Sequence, residues 1–574
     1  MKKKNYLFFI FLFSILYSFA QKEGNIWYFG YKAGVNFNTS PPSALTNGLV
    51  GTDTNSVTPQ SEGSAVVCDK TTGELLFYTD GVQVWNKNHT PMPNGTGLLG
   101  SVSSTQSSMI IPKPGSGTLY YIFTTDCEEN NYTNGLRYSI VDMTLNGNLG
   151  DVTTKNTSLV LSATERQTAI RQANGYGVWI ITQKTNTNNF YEFLLTATGI
   201  CGPYIYAVGA QNTNSAGDAN GEMKASPDGK KLAYVNYSAY TPLLSPDTGF
   251  VELYDFDDTT GVISNPKHIP DIDNSYGVCF SPDNSKLYAT ASTAAGDNIL
   301  YQFDSLSKSA AVIISSKKQI YTTTAGSDFG SIQIAPDGKL YMGILNFTPL
   351  ASLATISAPN ASGTACNFIY NAFSLGGKST FGALPALVVK VDPFGGNPAA
   401  DFSAPATICV DTAVRFTNLS TGFVTGWSWN FGESSSSTNT SSIKNPSHLY
   451  GSSNSYIVTL TITACDNTSS TASKTIDVTN CGSSSLSIPN IFSPNADAKN
   501  DLFAIKTTGI ESLMIRIYDR WGILMYSSDQ FQQSWDGTTT AGMNATDGIY
   551  FYSVKAQGAD GKKYELSGTL SLVR

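Results

Sequence analysis

Ser226-Pro227-Asp228-Gly229 followed by Leu232-Ala233-Tyr234, Ser281-Pro282-Asp283 followed by Leu287-Tyr288, and Ala335-Pro336-Asp337-Gly338 followed by Leu340-Tyr341 are three copies of one short pattern. Pro presets the first corner of a turn, Asp bonds its own backbone, and Gly takes the positive φ that closes the hairpin. Their prolines stand 55 and 54 residues apart. A period near 50 with several strands per unit predicts blades that stack around an axis. Looser copies lie upstream, at Ala65-Val66-Val67-Cys68, Met109-Ile110-Ile111-Pro112 and Ala169-Ile170, each ahead of a second apolar run. First strands are thus expected near residues 64, 107, 168, 222, 277 and 330. The run Gly382–Val389 lacks outer strands of its own, and Ile26–Phe29 with Gly34–Phe37 has strands without a blade. Joining the two completes a seventh blade and removes the open edges of an incomplete ring.

The expected fold class is therefore all-β: a seven-bladed β-propeller over residues 21–392, with six or eight blades as alternatives, followed by two Ig-like β-sandwich domains. The repeat resembles bacterial WD40-like propellers, without the Gly-His and Trp-Asp signature.

Ahead of it, Lys2, Lys3 and Lys4 precede an apolar run from Tyr6 to Tyr17, and Ser18-Phe19-Ala20 supplies small residues before Gln21. This reads as a signal peptide over residues 1–20, cleaved between Ala20 and Gln21. The run is too short to span the membrane comfortably. Net charge is −8 and grows more negative without those lysines. Such a chain is repelled by phosphate backbones, which makes nucleic acid an unsuitable partner. Eight cysteines lie in the exported part, and the preferred pair is Cys409 with Cys465.

After the linker 393–397, Trp427-Ser428-Trp429-Asn430-Phe431-Gly432, Asn445-Pro446-Ser447-His448-Leu449-Tyr450 and Tyr456-Ile457-Val458-Thr459-Leu460 follow in order. This order, within 398–480, resembles the polycystic-kidney-disease (PKD) domain. Asn430 and Glu433 stand where acidic residues are usual, which weakens ion binding at that turn. Trp429 is expected in the core.

The last stretch, 488–574, carries Asn495, Asp497, Asn500 and Asp501 in one loop. Then come Tyr518-Asp519-Arg520-Trp521-Gly522, Trp535-Asp536-Gly537, and Gly548 with Tyr550. These motifs resemble the type B sorting domain of the type IX secretion system, the gliding-motility-associated C-terminal domain of Bacteroidetes. The resemblance implies transit through the periplasm, recognition by the type IX machinery of the outer membrane, and release or retention at the cell surface. Tyr518, Trp521 and Tyr550 could equally fill a sandwich core. The 495–501 loop alternates oxygen ligands as calcium loops do, but Lys499 sits among them.

Chemistry is sparse. Histidines 89, 268 and 448 are scattered, each read in a turn or loop, and no nucleophile elbow, phosphate loop or dinucleotide fingerprint occurs. No cofactor or metal is expected. The remaining site is geometric: Glu62, Gln106, Arg166, Glu222, Tyr276 and Asp328 stand at or before the inner strands, and Arg171 on an inner strand could reach the same funnel. A ring of such groups could hydrogen-bond a glycan or peptide. The first reading is a secreted or cell-surface, non-catalytic binding or adhesion protein with a glycan or protein ligand. The alternatives are a glycan-active enzyme using Glu62, Glu222 or Asp328 at a spacing of ~5–10 Å, or a passive envelope component.

Overall fold

The computed structural model describes residues 22–51, 61–212, 219–237, 249–293, 295–323, 328–345, 351–386, 397–529 and 534–574. The expected cleavage site at Ala20 and Gln21 lies outside them. The chain divides into two compact units, Met1–Asn397 and Pro398–Arg574.

The first unit holds seven antiparallel sheets among the described residues. One has three strands, Ile26–Phe29, Ala33–Asn36 and Ser43–Leu45; six have four strands each, in plain meander order. The first strands of those six are Ala65–Cys68, Ser108–Pro112, Ala163–Arg171, Met223–Ala225, Val278–Phe280 and Asp328–Ile334. Five begin within about two residues of the positions the repeat predicts. The strand expected near 168 starts at Ala163, because its pairing is irregular between Ala163 and Gln167. That bulge throws Thr164, Glu165 and Arg166 out of the ladder and hides the period-2 pattern.

The sharp turns form as their chemistry requires. Asp228 accepts from Ser226 Oγ at 2.6 Å and Lys230 N at 3.1 Å, and Gly229 has φ +70°. In the copy without glycine, Asn284 takes the left-handed conformation at φ 64°.

Each sheet packs on the next through its apolar faces. Val67 and Phe77 of the second sheet meet Ile110 and Ile122 of the third. Met109 and Phe123 meet Val178 and Ile180 of the fourth. Phe190 meets the Tyr254 ring of the fifth at 5.2 Å. Val251 and Leu253 then meet Val278 and Leu287 of the sixth, and Tyr288 and Leu300 meet Ile332 and Met342 of the seventh. The seventh returns to the first through Trp27, Phe29, Tyr341 and Leu353, and the first packs on the second through Tyr28, Val66 and Tyr78. The sheets close into a ring. The segment before residue 387 seals it: Tyr31 N donates to Ser379 O at 2.9 Å, Ala386 N to Ser64 O at 2.9 Å, and Ser331 N to Gly382 O at 2.7 Å. A Cβ at Gly330 would sit 2.1 Å from Gly382 O, so that approach demands glycine. Of the expected run 382–389, Ala386 bridges Ala65 in parallel, and 387–389 lie outside the described residues.

In the second unit the stretch 398–480 forms a sandwich whose largest sheet has five strands. Its core surrounds Trp429, fully buried, with Phe402, Phe416, Phe431, Tyr450 and Leu460. Cys409 bonds Cys481, not Cys465. The strand Thr407–Cys409 runs parallel to Ser469–Thr479 and places Cys409 opposite Thr479. Cys465 lies at the opposite end of the hairpin formed by Asn454–Ala464 and Ser469–Thr479. That end is ~30 Å away along an 11-residue strand. Two histidines are in strands rather than loops, His268 in Val262–Ile269 and His448 in Ser447–Leu449. His448 is buried, stacked on Phe431 at 4.4 Å, with Nε2 2.9 Å from Glu433 Oε2.

The stretch 488–574 builds a second five-stranded sheet over Phe492, Phe503, Ile517, Trp535, Tyr550 and Val554. Trp535 and Tyr550 are core, Tyr518 is half-buried, and Trp521 is 81% exposed. The core reading of Trp521 therefore fails: it caps the turn between Ile510–Tyr518 and Leu524–Ser528, where Asp519 Oδ1 accepts from Trp521 N and Ile523 N, both at 2.8 Å. Gly522 supplies the positive φ of that turn.

Candidate functional site

The inner strands all run from one end of the ring to the other, and the sequence places a polar residue at the start of nearly every one. The structure separates these residues into two groups. Glu62 and Tyr276 are half-buried and Asp328 is exposed, so these three line a mouth. Tyr276 Oη donates to Glu62 Oε2 at 3.1 Å, joining the sixth sheet to the second across the axis. Tyr237 meets the Tyr276 ring edge-on at 6.2 Å. Burial raises the Tyr237 phenol, and the carboxylates of Asp328, Glu62 and Glu128 raise it further. Glu128, half-buried, accepts from Asn220 Nδ2 at 3.1 Å.

Gln106, Arg166 and Glu222 are buried and do not line the funnel. Gln106 acts as a surrogate strand: its Oε1 accepts from Met223 N at 2.9 Å and Gln167 N at 3.2 Å, and its Nε2 donates to Met223 O at 3.2 Å. Glu222 Oε2 accepts from Val278 N and Ile332 N at 3.1 and 3.2 Å, while Oε1 pairs with Lys224 Nζ at 3.0 Å. Lys224 Nζ donates onward to Gln333 Oε1 at 2.7 Å. Arg166 donates from Nε and Nη2 to Asn220 O at 3.1 and 2.6 Å and lies over the Tyr234 ring. These groups satisfy backbone donors and acceptors of neighbouring sheets and fill the axis beneath the mouth. Arg171 ends its strand, exposed, five residues beyond Arg166 and against Gly175 of its own turn. At ~3.3 Å per residue it is ~16 Å further along the strand than Arg166, which is itself buried beneath the mouth. It belongs to the opposite end.

Glu165 is the residue that sequence reasoning missed. It is buried; Oε2 accepts from Thr105 N and Oγ1 at 2.7 and 2.8 Å, and Oε1 from Glu128 N at 3.1 Å. Burial pushes its carboxyl up to about 8, and the nearby Glu62 charge adds to the rise despite the Thr105 and Glu128 hydrogen bonds. Burial likewise pushes Glu62 up to about 7, against the lowering hydrogen bond from Tyr276. Among the described residues no three His, Cys, Asp or Glu side chains gather as a metal cage.

In the C-terminal module the 495–501 loop is organised around its own backbone. Asp501 accepts from Asn495 N, Ala496 N and Ala498 N at 3.0, 2.7 and 2.8 Å, and Asp497 Oδ1 from Lys499 N at 2.8 Å. Asn500 takes a positive φ of 53° at its end. Its acceptors are aimed at N–H groups rather than at a shared centre. Trp535 Nε1 donates to Thr538 O at 2.6 Å, Asp536 Oδ1 accepts from Thr538 N at 2.9 Å, and Gly537 turns between them at φ 78°. Tyr550 Oη reaches Thr546 O at 2.6 Å, and Gly548 leaves room for Arg520. The motif residues thus pack Trp535 edge-on to Tyr550 at 5.1 Å in the core and leave Trp521 exposed at its own turn. No helix among the described residues is long and apolar enough to cross a membrane.

Residues 396–479 match the PKD domain family, and residues 486–572 match the CHU_C Type IX secretion signal domain. No curated protein matches the sequence. Among solved structures, a protein of Bacteroides fragilis described as a 6-phosphogluconolactonase is 11% identical, with 62% of this chain and 98% of that one covered at a TM-score of 0.36. The extracellular domain of a one-component system of B. thetaiotaomicron is 8% identical over 97% and 98% at 0.31. TolB of Acinetobacter baumannii is 12% identical over 49% and 60% at 0.25. The chain is a type IX-sorted protein of the cell exterior, carrying a PKD domain directly ahead of its secretion signal domain.

Proposed function

We propose that this chain is an extracellular, non-catalytic binding protein. In this reading the closed ring is a seven-bladed β-propeller, with the N-terminal strands and the segment before residue 387 sharing one blade. In the chain the PKD domain follows it, ahead of the domain that the outer-membrane exporter reads. The carrying observation is the mouth itself: two tyrosines, Tyr237 and Tyr276, beside Glu62 and Asp328, above an axis filled by cross-bonded side chains. Aromatic faces with a few carboxylates suit stacking and hydroxyl or amide recognition, hence a glycan or a peptide.

A glycan-cleaving enzyme needs two carboxyls free to reach the substrate. Of the candidate carboxyls, Glu222 spends both oxygens on Lys224, Val278 and Ile332 in the interior and Glu62 Oε2 takes the Tyr276 hydroxyl, which leaves Asp328 as the exposed one and favours binding.

The test is retention of the mature chain on arrayed glycans and peptides, with cleavage assayed on the same surface. A retained, uncleaved ligand whose affinity falls about tenfold or more in Tyr237→Ala and Asp328→Asn is expected, since each removes a rim contact worth about 1–2 kcal/mol. Cleavage of the ligand, or retention indifferent to both substitutions, overturns the reading.

A further inference from the structure

A cleft of about 490 Å³ opens at the other end of the inner strands, at the seam where the ring closes. One wall comes from the start of the unit, including Glu23, Asn25, Trp27, Phe37 and Thr39; the other comes from its end, including Asp337. The inner strand Asp328–Ile334 separates it from the mouth by ~20 Å.

Three features distinguish it from a packing gap. Its volume falls in the range of small-molecule sites, roughly 300–1,000 Å³. Its aromatic wall is preorganised: Trp27 Nε1 donates to Gly24 O at 3.0 Å, and the ring stands edge-on to Phe37 at 4.8 Å and Tyr341 at 5.9 Å. Asn25, Thr39 and Ser40 line the cleft on the same wall, and Gln333 and Asp337 on the other, so hydrogen-bonding groups stand beside the apolar ones.

Charge selects the ligand class. Asp337 is compensated, with Oδ2 accepting from Tyr341 Oη at 3.1 Å and pairing with Lys339 Nζ at 3.2 Å. Lys22 stands in the same lining as Glu23. A compensated cleft gives a charged ligand no Coulombic gain to offset its desolvation. A neutral, hydroxyl-bearing ring suits a lining in which hydrogen-bonding and apolar groups stand side by side.

We propose that this seam cleft is a second binding site, independent of the mouth, for a neutral saccharide of one or two rings. Because its walls come from both ends of the ring, an occupant staples the closure. Ligand binding that needs the folded ring must stabilise it by mass action.

The probes are cellobiose, maltose and lactose, titrated separately into the full mature chain while melting temperature and tryptophan emission are followed. At least one should raise the melting temperature of the first unit and change the emission saturably. Thr39→Arg, an exposed substitution that fills the cleft, should weaken that effect about tenfold or more. Asp328→Asn at the mouth should leave it unchanged. No response to any of the three sugars overturns the proposal, as does a response that survives Thr39→Arg or disappears in Asp328→Asn.

Discussion

Glu192→Met is expected to stabilise the first unit at pH 7.5, with its advantage over the natural chain wider by about 3–4 kcal/mol than at pH 4.5. Glu192 lies in the strand Asn189–Thr196, opposite Ile181 and Tyr204 on its two neighbours. It is fully buried, and neither carboxyl oxygen has a hydrogen-bond partner. Burial pushes its carboxyl up to about 9. The unfolded chain releases that proton near pH 4.5, whereas the folded chain keeps it until about pH 9. Folding therefore takes up a proton between these values, and stability falls by about 1.4 kcal/mol per pH unit for this group. Glu62 and Glu165 add slope of the same sign up to about pH 7 and 8. The hydrogen-bonded aspartates work in the other direction. Asp69 and Asp283, for example, are held below the ordinary 3.8. Their stabilisation is complete above that value and lost only as pH falls further. Maximum stability of the first unit is expected between these windows, near pH 4.5–5. Urea unfolding at the two pH values, followed by a probe in the first unit, measures it; a pH-independent gain for Glu192→Met contradicts the assignment.

A chain ending at residue 484 is expected to be absent from the medium and the outer surface, with all detectable protein retained in the periplasm. The truncation removes the whole five-stranded sheet around Trp535 and Tyr550 that matches the secretion signal domain, and leaves the PKD domain with its Cys409–Cys481 bond. Quantifying the protein in medium, surface and periplasm checks it, with folding of the retained chain verified by protease resistance. Normal delivery of the truncated chain contradicts the role of this domain.

The ring was legible because Pro and Asp mark the turn in three of its sheets by local chemistry, Gly229, Asn284 and Gly338 supply the positive φ, and Ser226, Ser281 and Ala335 open the same geometry. The site was legible only in part. Polar residues at the start of inner strands were recognisable, but which face the mouth and which cross-bond sheets depends on strand tilt and on bulges such as that between Ala163 and Gln167. That bulge displaced the expected strand start and concealed Glu165. Glu192 did leave a signal, since it shares the parity of Phe190 and Leu194 in a strand whose inner face is otherwise apolar. The disulfide left none: Cys409 meets Cys481 through a parallel pairing of distant segments, which spacing cannot reveal. Exposed Trp521 shows the reverse case, where aromatic character alone suggested burial that an Asp-Gly turn prevents.

Both proposed surfaces require that the ring be closed. Native-state hydrogen exchange at the amides of Tyr31 and Ala386, which donate to Ser379 O and Ser64 O, tests that closure most directly. They should be protected to the same free energy as the amide of Val67 in an inner strand, because freeing either one opens the seam. Exchange at the rate of an exposed loop at both positions would mean that the two ends do not hold together, and neither the mouth nor the cleft would have its walls.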